Sequence, residues 1–593
     1  MGVIKRYFDG YEIVFPGSYV KRTFDGNFAT QGTLGNVIYL LGESDGGIPY
    51  NATDYDGTTA LPAKEKVNSL TRLQDAYDVL IDGELFDAAR FSFAPAVDSQ
   101  YTPPPVINCV RVNQATRSSR TLEKSSVDVL KLHSVDFGTH TNKIATKVSA
   151  GTTTGKKVEV KYNGEERVVD NIERIDFSIQ YTGDASTATI TINGTTIVTT
   201  LAGDQTDGSV NLSMTVAQYE TIGDVVDYVN AQTGYTATVT LERSWESKYL
   251  DYVTTSDIKT TALDIKSNAE NLMRTINNSF GDLIYAELIT TTDRNVPDND
   301  TGYVYNSGAT QTAATNTDWS GALTMLEGLN ADFVVLLSGD DTHFTYLKSH
   351  CEAMSAVNGD NERQGWTGSN TSDAKATLIT ECKAINSSLI NYAATRFKAN
   401  DKNGVEKTWS GYHLAAMCAS MMAGNGTLFP ITKKSMQING LADNWDNDDL
   451  KDLMVARAIV LKETLEGGEY EVQRAVTTYQ GQVLLQSSIL AMRLALFISK
   501  DSRSKLNQKI KEQTTALNDA VINNLKDYIE QELLPSYRTQ GILTDDPETG
   551  RPAFSNVEFT IVGDEFHFAF EGVLPTELNF IFATHNFKTV GQA

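Results

Sequence analysis

Apolar and polar residues alternate from Tyr11 to Phe15, break at Pro16-Gly17 and resume at Tyr19-Val20, which predicts strand, turn, strand. Leu34 to Leu41 is a short apolar run ending in the glycine-rich segment Gly42 to Gly47, the mark of a buried strand followed by a loop. Leu70 to Phe93 carries apolar residues at helical spacing, and Val106 to Val112 reads as a second core strand. From about residue 150 to 254 the chain turns rich in Thr, Gly and Val. Two Asn-Gly pairs there, Asn163-Gly164 and Asn193-Gly194, are each preceded by an alternating run, and Asn-Gly suits the positive φ angles of a type I′ hairpin turn. One helix is predicted near Ile222 to Val229. Helical spacing returns at Ala262 to Phe280, the run Phe333 to Leu337 predicts a buried strand leading to a helix through Met354, and further helices are expected at 373–386, 412–422 and 447–462. A long helical tract, Ser487 to Leu534, is predicted to stop at Pro535, and strands follow at Val557 to Ile561 and Phe566 to Phe570. Beyond Pro575, Leu578, Phe580 and Phe582 alternate again.

The fold class expected from this order is α/β (α+β) and multidomain, since 593 residues exceed what one core serves. An apolar content of 40% is ordinary for a globular chain, and neither a long apolar run nor a charged-then-apolar start stands in the sequence, so no membrane span or secretory signal is expected. Fifty Lys and Arg against 75 Asp and Glu leave a net charge of −25, which repels a phosphate backbone and excludes nucleic acid as the main partner. Cys109, Cys351, Cys382 and Cys418 are far apart and form no CxxC pair, and they read as buried thiols of a reducing cytosol.

Candidate chemistry is thin. Gly151 to Lys157 resembles a phosphate loop only in outline: Ala150 stands where that loop needs glycine, Lys157 where it needs a hydroxyl, and a strand rather than a helix follows. The seven histidines make no HxxxH or HxH pair, and His350-Cys351 would point about 100° apart on a helix. No G-x-S-x-G elbow occurs, and the acidic run Asp446 to Asp449 lacks the EF-hand pattern and reads as a helix cap. No catalytic residue, metal or cofactor is expected.

Several segments carry a resemblance. Phe15-Pro16-Gly17-Ser18-Tyr19-Val20, the stretch Phe137-Gly138-Thr139-His140-Thr141-Asn142, Pro430-Ile431-Thr432-Lys433-Lys434 after the helix Ala415 to Ala423, Arg474 to Tyr479, and Gly572 to Glu577 together resemble the tail sheath proteins of contractile-tailed bacteriophages. Ser18 departs from the family, where valine or isoleucine is frequent, and residues 150–254 fall where its members vary most. The resemblance implies a sheath-type core (23–149 and 255–465), an inserted β-rich peripheral domain (150–254), a C-terminal domain (466–575) with Arg474 to Tyr479 as the strand leading into it, and extended arms (1–22 and 576–593).

The resemblance also implies a structural subunit of the virion tail. Made in the host cytoplasm, it would wind with its own copies around the tail tube, meet baseplate and tail terminator proteins, and contract. Arms of this kind add strands to neighbouring subunits, and the residues expected to do so are Tyr11, Ile13, Phe15 and Tyr19 at one end and Leu578, Phe580 and Phe582 at the other. Lys500, Arg503, Lys505, Lys509 and Lys511 form a basic cluster in an acidic chain and are candidates for facing the tube. Two other classes stay open: a tail-associated hydrolase with an α/β core, which a pocket of perturbed ionisable groups would favour, and another virion shell or tube protein.

Overall fold

The computed structural model describes residues 6–8, 11–13, 36–289, 294–356, 359, 361–464, 467–512, 518–562, 565–577 and 579. They form two compact units, one of residues up to 54, 58–114 and 313 onward, the other of 55–57 and 115–312.

The first unit is built on a six-stranded sheet in the order Ile390–Ala393, Gln364–Gly368, Phe333–Leu336, Ile38–Gly42, Ile107–Arg111, Asn68–Leu70. All neighbours are parallel except the last pair. Parallel strands bury both faces, which is why Ile38–Gly42 and Phe333–Leu336 read as near-continuous apolar runs. Ile38, Leu40, Phe333, Val335 and Trp366 point to one side, against the helices Glu84–Ser92 and Gly411–Gly424. Tyr39, Leu41, Val334, Leu336 and Tyr392 point to the other, against Asn316–Leu326, Asp341–Met354, Lys375–Ile385 and Asn447–Val455. The strand Gln364–Gly368 and the helix Gly411–Gly424 meet backbone to backbone. A Cβ at Gly368 would stand 2.5 Å from the Ala393 carbonyl oxygen and 2.6 Å from the Tyr412 nitrogen, so only glycine permits this approach.

The predicted core strands at 34–41, 106–112 and 333–337 are all present, trimmed to Ile38–Gly42, Ile107–Arg111 and Phe333–Leu336, with residues 34 and 35 outside the described ones. Several helical expectations are corrected. The run Leu70 to Phe93 is a strand and two helices, Leu73–Val79 and Glu84–Ser92, parted where Ile81 and Gly83 take positive φ (67° and 108°). The helix from Asn447 ends at Val455 because Arg457 adopts φ 72°, and Leu461–Glu463 is a strand. Pro535 does not stop the C-terminal helical tract. A π-helical turn, Tyr528–Leu533, precedes it, and Pro535 falls in the first turn of a new segment, Leu534–Thr539, where a missing N–H costs nothing. Arg474 to Tyr479 is not a strand, although the Thr478 N–H donates to Ile390 O at 2.9 Å and so closes the edge of the large sheet.

The second unit has two lobes. One packs the sheets Ser119–Lys124/Val127–Ser134/Ile284–Leu288 and Glu165–Ile172/Lys156–Tyr162/Ala145–Ala150/Val304–Tyr305 with the helix Asn268–Phe280, around Leu130, Leu132, Val158, Leu272 and Ile276. The other folds residues 175–265 around Phe177, Ile190, Ile197, Val225 and Val229, with the predicted helix at Ile222–Asn230. The composition shift near 150 falls inside the first lobe, since strands on both sides of it share one core. Asn163 and Gly164 have φ 50° and 87°, the predicted I′ turn. Asn193-Gly194 also joins a hairpin but by another device: Asn193 Oδ1 accepts the Thr195 and Thr196 N–H groups at 3.0 and 2.8 Å, an Asx turn. Gly151 to Gly155 is a hairpin turn closed by Gly151 N–H to Gly155 O at 2.9 Å. At 262–280 the helix starts only at Asn268, because Leu263–Lys266 pairs as a strand with Ile175–Tyr181.

Between the lobes Asp251 caps the helix Asn268–Phe280, accepting the N–H groups of Asn268 and Ala269 at 2.7 and 2.9 Å. Burial pushes its carboxyl up to about 7, with nearby Asp176 adding to the rise and the two N–H groups and Arg294 opposing it. A folded-state value above the unfolded one of about 3.9 contributes stability at low pH that is lost as pH rises towards 7. Asp251→Asn, which mimics the protonated form, should therefore match the wild type in thermal unfolding near pH 4 and exceed it above pH 7. The chain leaves and re-enters the first unit at adjoining places, for Gln114 Nε2 donates to Asp318 Oδ1 at 2.6 Å just beyond the re-entry at 313. Replacing residues 115–312 by a short Gly/Ser linker should leave a soluble protein with a cooperative unfolding transition, checked by circular dichroism.

Candidate assembly surfaces

The long helix Ile489–Glu512 changes character along its length. Ile489, Leu490, Ala491 and Leu494 are buried, and charged residues then dominate. The first of the predicted basic cluster, Lys500, is only 8% exposed. Its Nζ donates to Asp332 Oδ1 at 2.8 Å and to Ala331 O at 3.0 Å. The expectation that Lys500 faces a tube is corrected: an ammonium inside the fold at the foot of strand Phe333–Leu336 is not available to an outside partner. Arg503 grips Glu362 with both terminal nitrogens, one bond measuring 2.9 Å. Lys505 pairs with Asp501 at 2.6 Å, and Asp501 accepts the Tyr537 hydroxyl at 2.8 Å, which with burial pushes that phenol far up. Lys509 reaches Glu512 at 3.4 Å and lies 4.5 Å from the Tyr528 ring centre, and Lys511 is exposed. Three of the five cations are thus internal fasteners, and Lys509 and Lys511 are the outward members.

The same helix holds the place where the chain enters the large sheet. Arg493 Nη2 donates to Asn36 Oδ1 at 2.8 Å, and Asp332 Oδ2 accepts the Val37 N–H at 2.9 Å. Burial lowers the Arg493 guanidinium to about 10 while Asp332 opposes the shift. Sequence reasoning missed Asp332 and Glu362, whose role is visible only once the sheet brings residues 332 and 362 beside 500 and 503.

Beyond the helices, Phe554–Val562 and Glu565–Gly572 form an antiparallel hairpin, the strand pair that alternation predicted. Val557, Phe559, Phe566, Phe568 and Phe570 lie on one face and pack on the cluster of Leu494, Ile529, Leu533, Leu534 and Tyr537. Among the described residues no third strand pairs with either edge of this hairpin. Past it the chain crosses back. Glu577 accepts the Thr432 hydroxyl, and Thr576, Glu577 and Asn579 border a shallow pocket with Arg474, Ala475, Leu484, Ser487 and Ser488. Burial raises the Glu577 carboxyl, against the pull of the Thr432 hydrogen bond and of Arg474 and Lys434. Thr432 belongs to the Pro430 to Lys434 segment singled out in the sequence.

Of the arm residues, Tyr11 and Ile13 fall on a short strand, Tyr11–Ile13, paired antiparallel with Arg6–Phe8. Phe15, Tyr19, Leu578, Phe580 and Phe582, and the turn at Pro16-Gly17, lie outside the described residues. Among the described residues no group of three His, Cys, Asp or Glu side chains is placed to hold a metal, and no helix is long and apolar enough to cross a membrane. All four cysteines are buried and unpaired by disulfides, as their spacing implied.

Residues 312–478, which contain three of the six strands of the large sheet and most of its covering helices, match the phage tail sheath protein central domain. A tail sheath protein of Bacillus phage SP01 is 23% identical over 491 residues, covering 80% of each chain. The chain is therefore similar to phage tail sheath proteins over most of its length. The same fold recurs in the crystal structure of a sheath tail protein from Listeria innocua (TM-score 0.52, 11% identity, 91% of this chain and 94% of that one). It recurs again in the sheath tail protein of Desulfitobacterium hafniense (TM-score 0.50, 11% identity, 94% and 100%). Lys500→Met removes the ammonium paired with Asp332, leaving that carboxylate the Val37 N–H and the nearby Arg493 guanidinium, and should cost about 1–3 kcal/mol in urea unfolding. Lys511→Ala, at an exposed site, should stay within about 0.5 kcal/mol of wild type.

Proposed function

We propose that this tail sheath chain is the repeating subunit of a contractile phage tail sheath, linked to its copies by both chain ends and meeting the tail tube through the outward end of the helix Ile489–Glu512. The observation that carries the linkage is the hairpin Phe554–Val562/Glu565–Gly572, which has an apolar face seated on its own helices and two strand edges with no partner among the described residues. Such edges accept added strands, and main-chain hydrogen bonds then give affinity while alternate side chains set register. The arms are suited to supply them. Tyr11, Ile13, Phe15 and Tyr19, and Leu578, Phe580 and Phe582, repeat with the period of two that turns one apolar row to a partner sheet.

A net hydrogen bond is worth only about 1 kcal/mol, but several per arm together with buried aromatics outlast weaker contacts between cores. A mesh of this kind lets cores rotate and slide during contraction while the subunits remain joined. Baseplate and terminator proteins are the partners proposed at the two ends of the cylinder. Residues 150–254, within the unit 115–312, are proposed as a domain peripheral to assembly. No step of this reading requires a catalytic group.

Deleting residues 1–20, or 577–593, should leave folded monomers by circular dichroism and light scattering that build no cylinders under the electron microscope. Normal cylinders from either truncated protein would remove the arms as linkers. The tube contact is tested separately. Lys509→Glu with Lys511→Glu should weaken co-sedimentation with the acidic surface of a tube more at low than at high salt, because exposed pairs are screened. Unchanged co-sedimentation at low salt would count against that face.

A further inference from the structure

The chain exposes three consecutive large apolar side chains at one place. Val483, Leu484 and Leu485 are 49%, 58% and 40% exposed, at the start of the short helix Leu484–Ser487. A run of this kind on a soluble surface normally marks a contact. Leu484 is also a wall of the pocket bordered by Thr576, Glu577 and Asn579, where the last described part of the chain already lies. Glu577 is fixed there by the Thr432 hydroxyl, so the direction of approach is set. The residues immediately beyond are Phe580, Ile581 and Phe582, among the most apolar triplets in the C-terminal segment. An extended chain advances at most about 3.3–3.6 Å per residue, so three residues of backbone can reach no more than roughly 11 Å from Asn579.

We propose that in the unassembled subunit the Val483–Leu485 surface is the seat of the chain's own Phe580–Phe582, which keeps the C-terminal arm folded back until a neighbour offers a sheet edge. The occupant is the same chain because a tethered segment has a high effective concentration at a seat next to its anchor, whereas a copy in dilute solution does not. This rests on the reading of the C-terminal arm as a linker: the arm trades a seat on its own subunit for a strand position on another. The exchange replaces one apolar contact by another, so assembly is not opposed by leaving the aromatics in water. The seat also gives a reason for the subunit not to polymerise on first encounter.

The test is hydrogen–deuterium exchange on the dilute subunit, shown to be monomeric by light scattering. The peptide spanning 480–490 should exchange several-fold faster in a chain ending at Asn579 than in the full chain, and a synthetic peptide of residues 578–593 should restore protection. In the full chain, Leu484→Ser should speed exchange in 580–593 and leave the large sheet unchanged. Equal exchange of 480–490 with and without the tail, or a tail indifferent to Leu484→Ser, overturns the proposal. Should the shortened chain misfold, Phe580→Ser with Phe582→Ser in the full chain gives the same comparison. Micrographs of the shortened chain keep the two readings apart. Cylinders together with faster exchange would leave the seat and remove the arm as a linker, whereas unchanged exchange without cylinders would do the reverse.

Discussion

The pairing of Ile38–Gly42 with Phe333–Leu336 is the constraint on which the first unit depends. Two segments nearly three hundred residues apart lie parallel in register, Tyr39 opposite Val334 and Leu41 opposite Leu336, at the centre of the large sheet. A parallel sheet must be covered on both faces, so this one pairing obliges the helices at 84–92 and 411–424 to take one side and those at 316–326, 341–354, 375–385 and 447–455 the other. It also brings Val37, at the entry to one strand, beside Asp332, at the entry to the next, and that pair of residues is what the long helix fastens to. The long helix is therefore tied to this sheet end, and the hairpin 554–572 to the helix through the cluster that includes Leu494.

The fastening is electrostatic and internal. In a chain of net charge −25, a basic stretch from Lys500 to Lys511 invites the view that it is reserved for an acidic partner. Most of it answers carboxylates of the same unit: Asp332, Glu362 and Asp501. Buried pairs of this sort add little net stability over an apolar substitute, but breaking one leaves a costly unpaired charge. They fix which way the helix lies, and hence where the hairpin at 554–572 and the crossing at Glu577 are presented. The cations left facing outward, Lys509 and Lys511, sit at the end of the helix farthest from this anchor.

How much of this was legible depended on whether the deciding interaction was local. The strands at 38–42, 107–111 and 333–336 stand out because burial on both faces leaves an apolar run, and the turn at Asn163-Gly164 because its φ angles belong to those two residues. Gln364–Gly368 is as deeply buried but contains Gln, Thr and two glycines, Gly368 where the backbone of helix 411–424 passes close by and Gly365 where Leu347, Cys351 and Ile390 crowd it, and so carries no apolar signature. Asn193-Gly194 looked like the first turn pair yet closes through its own side chain. The helix breaks at Ile81 and Arg457 are left-handed residues that composition does not announce. Lys500 was read as exposed because lysine usually is, and only the distant Asp332 makes it an internal residue. The likeness to tail sheath proteins was legible in short motifs such as Pro430 to Lys434, whose Thr432 turns out to hold Glu577.

The central claim is that this chain alone contains the means to polymerise around an axis. The direct measurement is negative-stain electron microscopy of the purified full-length protein at high concentration, with the state of the dilute sample fixed by light scattering. The account predicts open, helically striated cylinders wider than a tail tube, growing in number with concentration. A protein that stays monodisperse at every concentration, or closes into spherical shells, would contradict it.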